Sequence, residues 1–185
     1  MERIAIVGTT GSGKTTLGTR LSEALAYPHV DLDALYWGPD WAPMPTAKFR
    51  ERVSEALAGA TWVVAGNYRK TRDIIWSRAD TLVWLDYPLP LTLARLFRRT
   101  VARIITQEEL WSGNRESWRG QFASRDSLFL YALRTHRRRS EEFVAVLATP
   151  QYAHLAVLRF RYPAQTDAWL NNLRSDQPPQ ADGSA

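Results

Sequence analysis

One segment, Gly8–Thr15, constrains the fold of this chain more than any other. It reads Gly-Thr-Thr-Gly-Ser-Gly-Lys-Thr and matches the phosphate-binding pattern G-x-x-x-x-G-K-[ST]. The apolar run Ile4–Val7 before it is typical of a buried parallel strand. After it, Leu17, Leu21 and Leu25 recur at helical spacing. The segment therefore joins a strand to a helix, which is the setting that a phosphate-binding loop needs.

The chemistry of this loop suits a nucleoside triphosphate. Its glycines let the backbone approach a ligand closely, and several N–H groups point at anionic oxygens near the positive end of the following helix. We expect Lys14 to reach the β- and γ-phosphates of ATP and the Thr15 hydroxyl to ligate Mg²⁺. A glycine-rich turn without a ligand is the alternative, but the Lys-Thr pair and both flanks favour the nucleotide. The predicted nucleotide-binding residues are Gly8, Thr9, Thr10, Gly11, Ser12, Gly13, Lys14, Thr15 and Thr16.

The composition is typical of a single soluble domain. With 185 residues, 45% of them hydrophobic, the chain is long enough to bury a sizeable core. It has no cysteine, which excludes thiol nucleophiles, disulfides and thiolate metal sites. No stretch reaches the roughly 20 apolar residues of a membrane span, and the first strand starts too early for a signal peptide. We therefore expect a cytoplasmic monomer or homodimer with no membrane partner.

Strand and helix patterns alternate along the chain, which predicts an α/β fold of three layers with a parallel sheet between helices. Ligands in such sheets bind at the carboxyl ends of the strands. The predicted strands are Arg3–Val7, His29–Leu32, Thr61–Ala65, Thr81–Asp86 and His154–Phe160. A long helix is predicted over Ser127–Leu147 and a short closing one around Trp169–Leu173. We expect a domain over residues 1–174 with a lid at about 106–125, and a disordered tail over 175–185.

Positive charge is concentrated in the segment Arg95–Arg139. It holds eleven arginines, no lysine and four acids, a surplus of seven charges, whereas the whole chain carries +5. Such a segment could grip a nucleic-acid backbone or close over a triphosphate. The second interpretation is favoured. Within the segment, Arg134 and the run Arg137–Arg139 look like a solvated helix face.

Two acids follow the second predicted strand. Asp31 and Asp33 share one face of an extended segment, so both carboxylates can project toward one pocket. Asp31 is the candidate Mg²⁺ ligand, and Asp33 the candidate group that orients a substrate hydroxyl or accepts its proton. The alternative is a solvated strand end or a helix cap. The nearby Trp37 and Trp41 either line an acceptor pocket or belong to the core.

The third and fourth strands also end in polar groups. Gly66 permits close backbone approach, and Asn67 and Arg69 face the same crevice, where they are candidate substrate ligands. A surface salt bridge is the alternative for Arg69. Asp86 is similar to the metal-binding aspartate that ends a strand in phosphate-loop proteins. The residues Tyr-Pro-Leu-Pro after it instead favour a cap on the next helix.

Taken together, these motifs resemble a known group. The N-terminal phosphate loop, the Asp-x-Asp after strand two, the sequence W-V-V-A-G-N-Y-R, the strand L-V-W-L-D and an arginine-bearing lid are similar to the adenylate-kinase-like P-loop kinases. The likeness covers about residues 1–173. It is strongest to the bacterial DNA topology modulation proteins, the FlaR-like group.

The resemblance implies a sheet order of 2-3-1-4-5 and catalytic roles for Lys14, Asp33, Arg99 and Arg115. Asp31 and Asp33 look like the Asp-x-Asp of shikimate-kinase-type enzymes. Arg98, Arg99 and Arg115 look like lid arginines that engage phosphates. One departure is Ala65-Gly66, where nucleotide monophosphate kinases carry Asp-Gly. Asp31 would then have to assist the metal in place of that carboxylate, or catalysis would be weaker.

The function implied is transfer of the γ-phosphoryl group of Mg·ATP to a small-molecule acceptor, a nucleotide, nucleoside or metabolite hydroxyl. The first alternative is a nucleic-acid-associated ATPase or regulator that uses the basic segment. A second alternative is a nucleotide-binding protein without turnover.

Overall fold

Within the part of the chain that the structure describes, the sheet has five strands, all parallel. A computed structural model describes residues 1–117 and 127–175 of the chain. The strands are β1 (Arg3–Gly8), β2 (His29–Asp31), β3 (Trp62–Ala65), β4 (Thr81–Leu85) and β5 (Ala156–Phe160). Their order is β2-β3-β1-β4-β5, and every neighbouring pair is parallel. The predicted fold class and strand order are confirmed.

Helices connect the strands on both faces of the sheet. The α-helices are α1 (Lys14–Leu25), α2 (Leu32–Tyr36), α3 (Thr46–Ala56), α4 (Arg72–Arg78), α5 (Leu89–Thr106), α6 (Leu128–Leu147) and α7 (Pro163–Ser175). The long helix predicted over Ser127–Leu147 is confirmed as α6. Ser127 caps this helix, since its hydroxyl accepts a bond from the Phe129 N–H. The closing helix is longer than predicted and begins at Pro163.

The central strands are buried on both faces, as expected for a sheet covered by helices on each side. Every residue of β3 and β4 is buried, and so are five of the six residues of β1. One core packs against α3, α4 and α6 and includes Phe49, Trp76 and Phe143. The other packs against α1 and α7 and includes Leu21 and Leu170. The two cores fix the strand ends where the phosphate loop begins.

The phosphate loop depends on its glycines. Gly11 and Gly13 have φ of +84° and +93°, a left-handed conformation that side chains disfavour. A Cβ on Gly11 would also lie 2.4 Å from the carbonyl oxygen of Thr92 in α5. The loop is therefore seated directly against α5, and Gly13 leads into the first turn of α1.

The described part of the predicted lid, residues 106–117, is bonded to the segment that follows α2. Asn114 is buried; its Oδ1 accepts from the Trp41 N–H at 2.9 Å, and its Nδ2 donates to the carbonyls of Gly38 and Trp111. The rest of the predicted lid, with Arg119, lies outside the described residues, as do residues 176–185 of the predicted tail. The domain bounds thus stay a prediction. Within the described ranges, no helix is long and apolar enough to cross a membrane.

Candidate active site

Lys14 is bonded to the backbone of its own loop. Its Nζ donates to the carbonyl oxygens of Gly8 at 3.0 Å and Thr9 at 3.2 Å. Burial lowers the pKa of Lys14 to about 8; nearby Asp33 opposes this shift, and Arg139 adds to it. The loop thus holds the Lys14 amine against its own backbone carbonyls.

The Thr15 hydroxyl meets the carboxylate of Asp31. Thr15 Oγ1 donates to Asp31 Oδ2 at 3.1 Å, while Asp31 Oδ1 accepts from the Asp33 N–H at 2.9 Å. Asp31 therefore caps α2, as one alternative predicted, and also faces the phosphate loop. Burial raises the pKa of Asp31, and the neighbouring Asp33 raises it further, whereas the two hydrogen bonds lower it.

This pair suits a magnesium ion that shares its ligands with phosphate. A hydroxyl and a carboxylate are hard oxygen donors, and Mg²⁺ is usually held by one or two carboxylates together with substrate phosphates. Among the described residues, no group of three or more His, Cys, Asp or Glu side chains could hold a metal ion alone. Thr15 and Asp31 therefore fit a metal that arrives with the nucleotide.

The strand register explains how Asp31 could replace a carboxylate on β3. Asp31 pairs with Ala65, and Ala65 pairs with Ile6 of β1. Ala65 is buried, so the carboxyl end of β3 offers only a methyl group there. Asp31 supplies a carboxylate one strand away, at the same level of the sheet.

Asp33 is held by a tyrosine that sequence reasoning missed. The Tyr68 hydroxyl donates to Asp33 Oδ1 at 2.5 Å. The Tyr68 ring packs against Tyr36 and Phe49, with centroid distances of 4.6 and 5.0 Å. Burial and the adjacent Asp33 raise the pKa of Tyr68, so its hydroxyl stays a donor. The only sequence signal was its position in the Gly66–Arg69 segment after β3.

The other residues after β3 have different partners from those predicted. Asn67 bonds to both backbone groups of Gly8: its Oδ1 accepts from the Gly8 N–H at 3.0 Å, and its Nδ2 donates to the Gly8 carbonyl. Its amide is thus committed to the phosphate loop, whereas the sequence predicted an acceptor contact. Arg69 is exposed and pairs with Glu142 at 3.2 Å, the salt bridge that was its alternative. Gly66 has φ of +150°, and a Cβ there would lie 2.7 Å from the Leu32 side chain, so its close approach is to α2.

Arg99, one of the predicted lid arginines, lies in α5. Its Nε is buried and has no hydrogen-bond partner among the described residues. Burial lowers the pKa of Arg99 and Arg103 lowers it further, whereas Glu116 and Asp33 oppose the shift. The guanidinium thus lies within electrostatic range of both Asp33 and the Arg103–Glu116 pair.

Three further arginines of the basic segment differ in their surroundings. Arg95 lies over the ring of Tyr87, and its Nη1 donates to the Ser12 carbonyl at 3.4 Å, so it supports the phosphate loop. Arg98 and Arg115 are exposed. The positive charge of Arg95 therefore lies against the phosphate loop, whereas Arg98 and Arg115 carry theirs on the protein surface.

Helix α6 approaches the phosphate loop, which the sequence did not predict. His136 Nδ1 and Thr9 Oγ1 share a hydrogen bond of 3.0 Å. Arg139 is half-buried and close enough to lower the pKa of Lys14. The prediction of a solvated face is confirmed for Arg134, Arg137 and Arg138, which are exposed. It holds only in part for Arg139, which is half-buried while its Nη2 donates at 2.7 Å to the exposed Tyr131 hydroxyl of the same helix.

The prediction that Asp86 caps the next helix is also wrong. Helix α5 begins at Leu89, and Pro88 precedes it without a side-chain cap. Asp86 instead accepts from Arg159 of β5 at 2.5 Å and from the Ser140 hydroxyl at 3.3 Å. The Arg159 guanidinium competes successfully for this carboxylate because β5 lies directly beside β4.

The tryptophans after α2 belong to a row of rings. Centroid distances are 4.9 Å between Tyr36 and Trp37, 5.8 Å between Trp37 and Trp41, and 6.5 Å between Trp41 and Trp111. All are edge-to-face pairs, a favoured geometry. The three tryptophans are half-buried, so the row is neither core nor free surface. Trp111 brings the described part of the predicted lid next to the segment after Asp33.

Comparison with known proteins places this chain in a family. No protein-family model matches the chain. The shikimate kinase of Synechococcus elongatus is 32% identical over 134 residues, which cover 61% of this chain and 70% of that protein. The uncharacterized protein YqaC of Bacillus subtilis is 29% identical over 153 residues, or 80% of this chain and 85% of YqaC.

Solved structures show the same fold. The shikimate kinase of Bacteroides thetaiotaomicron gives a TM-score of 0.53 at 18% identity and covers 94% of this chain and 97% of that one. The shikimate kinase of Acinetobacter baumannii in complex with shikimate gives 0.51 at 18% identity, with coverages of 95% and 92%. Together with the sequence similarity to shikimate kinase, the fold and the phosphate loop define a P-loop kinase, an ATP-dependent phosphotransferase for small molecules. By its sequence likeness, the chain belongs to the shikimate kinase family.

Proposed function

We propose that this protein transfers the γ-phosphoryl group of Mg·ATP to a hydroxyl group of a small molecule bound beside Asp33. The observation that carries the proposal is the 3.1 Å bond between Thr15 Oγ1 and Asp31 Oδ2. It joins the phosphate loop to the Asp-x-Asp segment, so Asp33 lies two residues from the nucleotide site. Phosphoryl transfer depends mostly on such positioning and on charge.

The donor half of the site would work through Lys14 and the loop backbone. In this structure Lys14 bonds to two loop carbonyls, and phosphate oxygens would replace them as partners. Mg²⁺ would be held by Thr15 and Asp31, and when bound it would neutralise charge on the phosphates. Arg99 would add positive charge beside the phosphates. Its buried Nε has no hydrogen-bond partner among the described residues, so it could donate to a phosphate oxygen.

The acceptor half would work through Asp33. Its carboxylate would orient the attacking hydroxyl and accept its proton, while Tyr68 holds one carboxylate oxygen in place. A ring-bearing polyol would contact Trp37 and the other rings of the row. Shikimate is the first acceptor to test, since it is the named substrate of relatives of this chain.

A phosphorylation screen tests the proposal. The chain is incubated with Mg·ATP and one acceptor at a time, including shikimate, nucleosides, nucleotides and sugar acids, and the phosphorylated product is identified by mass spectrometry. We expect turnover with one class of hydroxyl compound and its loss in Asp33→Asn. Asp167→Asn is the matched control, because that acid forms only a surface ion pair with Arg20. ATP binding without phosphorylation of any acceptor would contradict the proposal.

A further inference from the structure

The phosphate loop is held from outside at two adjacent residues. Gly8 is bonded through both backbone groups to Asn67 at the end of β3. The next residue, Thr9, is bonded through its hydroxyl to His136 of α6, 127 residues away in the chain. Thr9 is buried, with 6% of its surface exposed. A buried hydroxyl that loses its partner costs free energy.

Thr9 also lies at the centre of the bonds within the loop. Its carbonyl accepts from the Ser12 N–H at 3.0 Å, which closes the turn, and from Lys14 Nζ at 3.2 Å. A rotation of Thr9 would therefore move both the turn that presents N–H groups to phosphate and the carbonyl that holds the lysine. The Thr9 side chain has one fixed partner in the described structure, His136.

Helix α6 is well placed to hold that partner still. One turn after His136, the Ser140 hydroxyl donates to Asp86 at the end of β4. Two turns after it, Phe143 packs against Trp76 and Trp84 of the main core, at 5.6 and 5.5 Å. His136 thus projects from a helix anchored at the edge of the sheet where the loop emerges.

We infer that His136 is a positioning residue for the phosphate loop: through Thr9 it fixes the loop conformation that binds the triphosphate. The inference rests on the proposed ATP site, and it assigns a role to a residue that the phosphate-loop pattern does not contain. It predicts that the Thr9–His136 bond contributes to nucleotide affinity more than to the stability of the fold.

A double-mutant cycle tests the inference, with the Kd of a nonhydrolysable Mg·ATP analogue measured by calorimetry. Thr9→Val and His136→Leu are each expected to weaken binding by about fivefold, the worth of one hydrogen bond. The double variant should be about as weak as either single one, because both remove the same bond. His136→Asn keeps a polar atom at this position and should recover most of the affinity that His136→Leu loses.

His154 provides the control, because its Nε2 bonds to the Trp76 carbonyl at 3.1 Å at the opposite edge of the sheet. His154→Leu should leave the Kd unchanged, and thermal unfolding shows whether each variant is folded. Independent, multiplying effects of Thr9→Val and His136→Leu would overturn the inference, as would unchanged affinity in both. If the unaltered protein failed to bind the analogue, the proposed function itself would be contradicted.

Discussion

The side-chain amide of Asn67 bonds to both the N–H and the carbonyl of Gly8, the first residue of the phosphate loop. Asn67 follows β3, and its side chain takes the place that a neighbouring strand would have beside Gly8. A side-chain amide carries a donor and an acceptor in one plane, so it can match the carbonyl and the N–H of one residue. The bond joins β3 to the loop just beyond the point where regular β1–β3 pairing ends.

Replacing Asn67 should therefore loosen the loop. Asn67→Leu leaves both Gly8 groups without this partner, and we expect the Kd for a Mg·ATP analogue to rise about tenfold or more. Asn67→Asp can still accept from the Gly8 N–H but cannot donate, so it should fall between. Asn172→Leu, an exposed change on α7, is the control. Calorimetric titration of each variant measures the effect, and unchanged affinity in Asn67→Leu would contradict it.

A second prediction concerns pH. The pKa of Lys14 is about 8 in the ligand-free protein, well below its ordinary value of 10.5. Phosphates would favour the charged amine, so above pH 8 nucleotide binding must take up a proton. The affinity for a Mg·ATP analogue should then fall as pH rises above about 8, by up to about tenfold per pH unit. Lys14→Arg stays charged and should lose this dependence, whereas Lys48→Arg, on exposed α3, should keep it.

The same lowered pKa of Lys14 predicts an effect on the stability of the fold. Because folding lowers the pKa of Lys14, its charge destabilises the folded protein at pH below 8, and this penalty disappears as pH rises toward 10.5. Lys14→Met should therefore raise the free energy of unfolding by about 1–2 kcal/mol at pH 7. The gain should shrink above pH 8. Urea unfolding of the variant and the unaltered protein at pH 7 and pH 9.5 measures this gain. A gain of the same size at both pH values would contradict the prediction.

The parts of the site that were predictable from sequence are local ones. The pattern Gly8–Thr15 contains its own strand, turn and helix signals, and the spacing of Asp31 and Asp33 determines that they follow one strand. Parallel strands end at one edge, so the neighbourhood of these two segments also follows from the fold.

Contacts between distant segments were not predictable. The Thr9–His136 bond joins residues whose separation depends on where α6 packs. Likewise, the sequence of the run Arg137–Arg139 does not show which of its arginines is partly buried. Asp86 illustrates competition: its local sequence favours a helix cap, but a neighbouring strand brings Arg159 within 2.5 Å. A cap and an ion pair need the same oxygens, and tertiary packing decides between them.

A further stability prediction concerns the pair Arg103–Glu116, which joins α5 to the described part of the predicted lid. Arg103 Nη1 lies 3.3 Å from Glu116 Oε1, and the Glu116 side chain is only 2% exposed. Among the described residues, Glu116→Ala leaves Arg103 with only the exposed Glu108 as an acidic partner, so it should cost about 2–4 kcal/mol. Arg103 also pairs with Glu108, which is 51% exposed, and Glu108→Ala should cost less than about 1 kcal/mol. Chemical denaturation of the two variants compares them; equal costs would mean that burial does not matter here.

The last prediction separates the two acids of the Asp-x-Asp segment. Asp33 contacts Tyr68 and lies toward the proposed acceptor, whereas Asp31 contacts Thr15 and faces the proposed metal. Asp33→Asn should lower kcat by about 10²–10⁴, the usual loss for a general base, with the Kd for the ATP analogue changed less than about threefold. Tyr68→Phe removes the hydroxyl that holds Asp33 and should lower kcat by about tenfold. Asp31→Asn should instead raise the Mg²⁺ concentration needed for half-maximal rate. A Mg²⁺ requirement that changes with Asp33→Asn and not with Asp31→Asn would exchange the two roles.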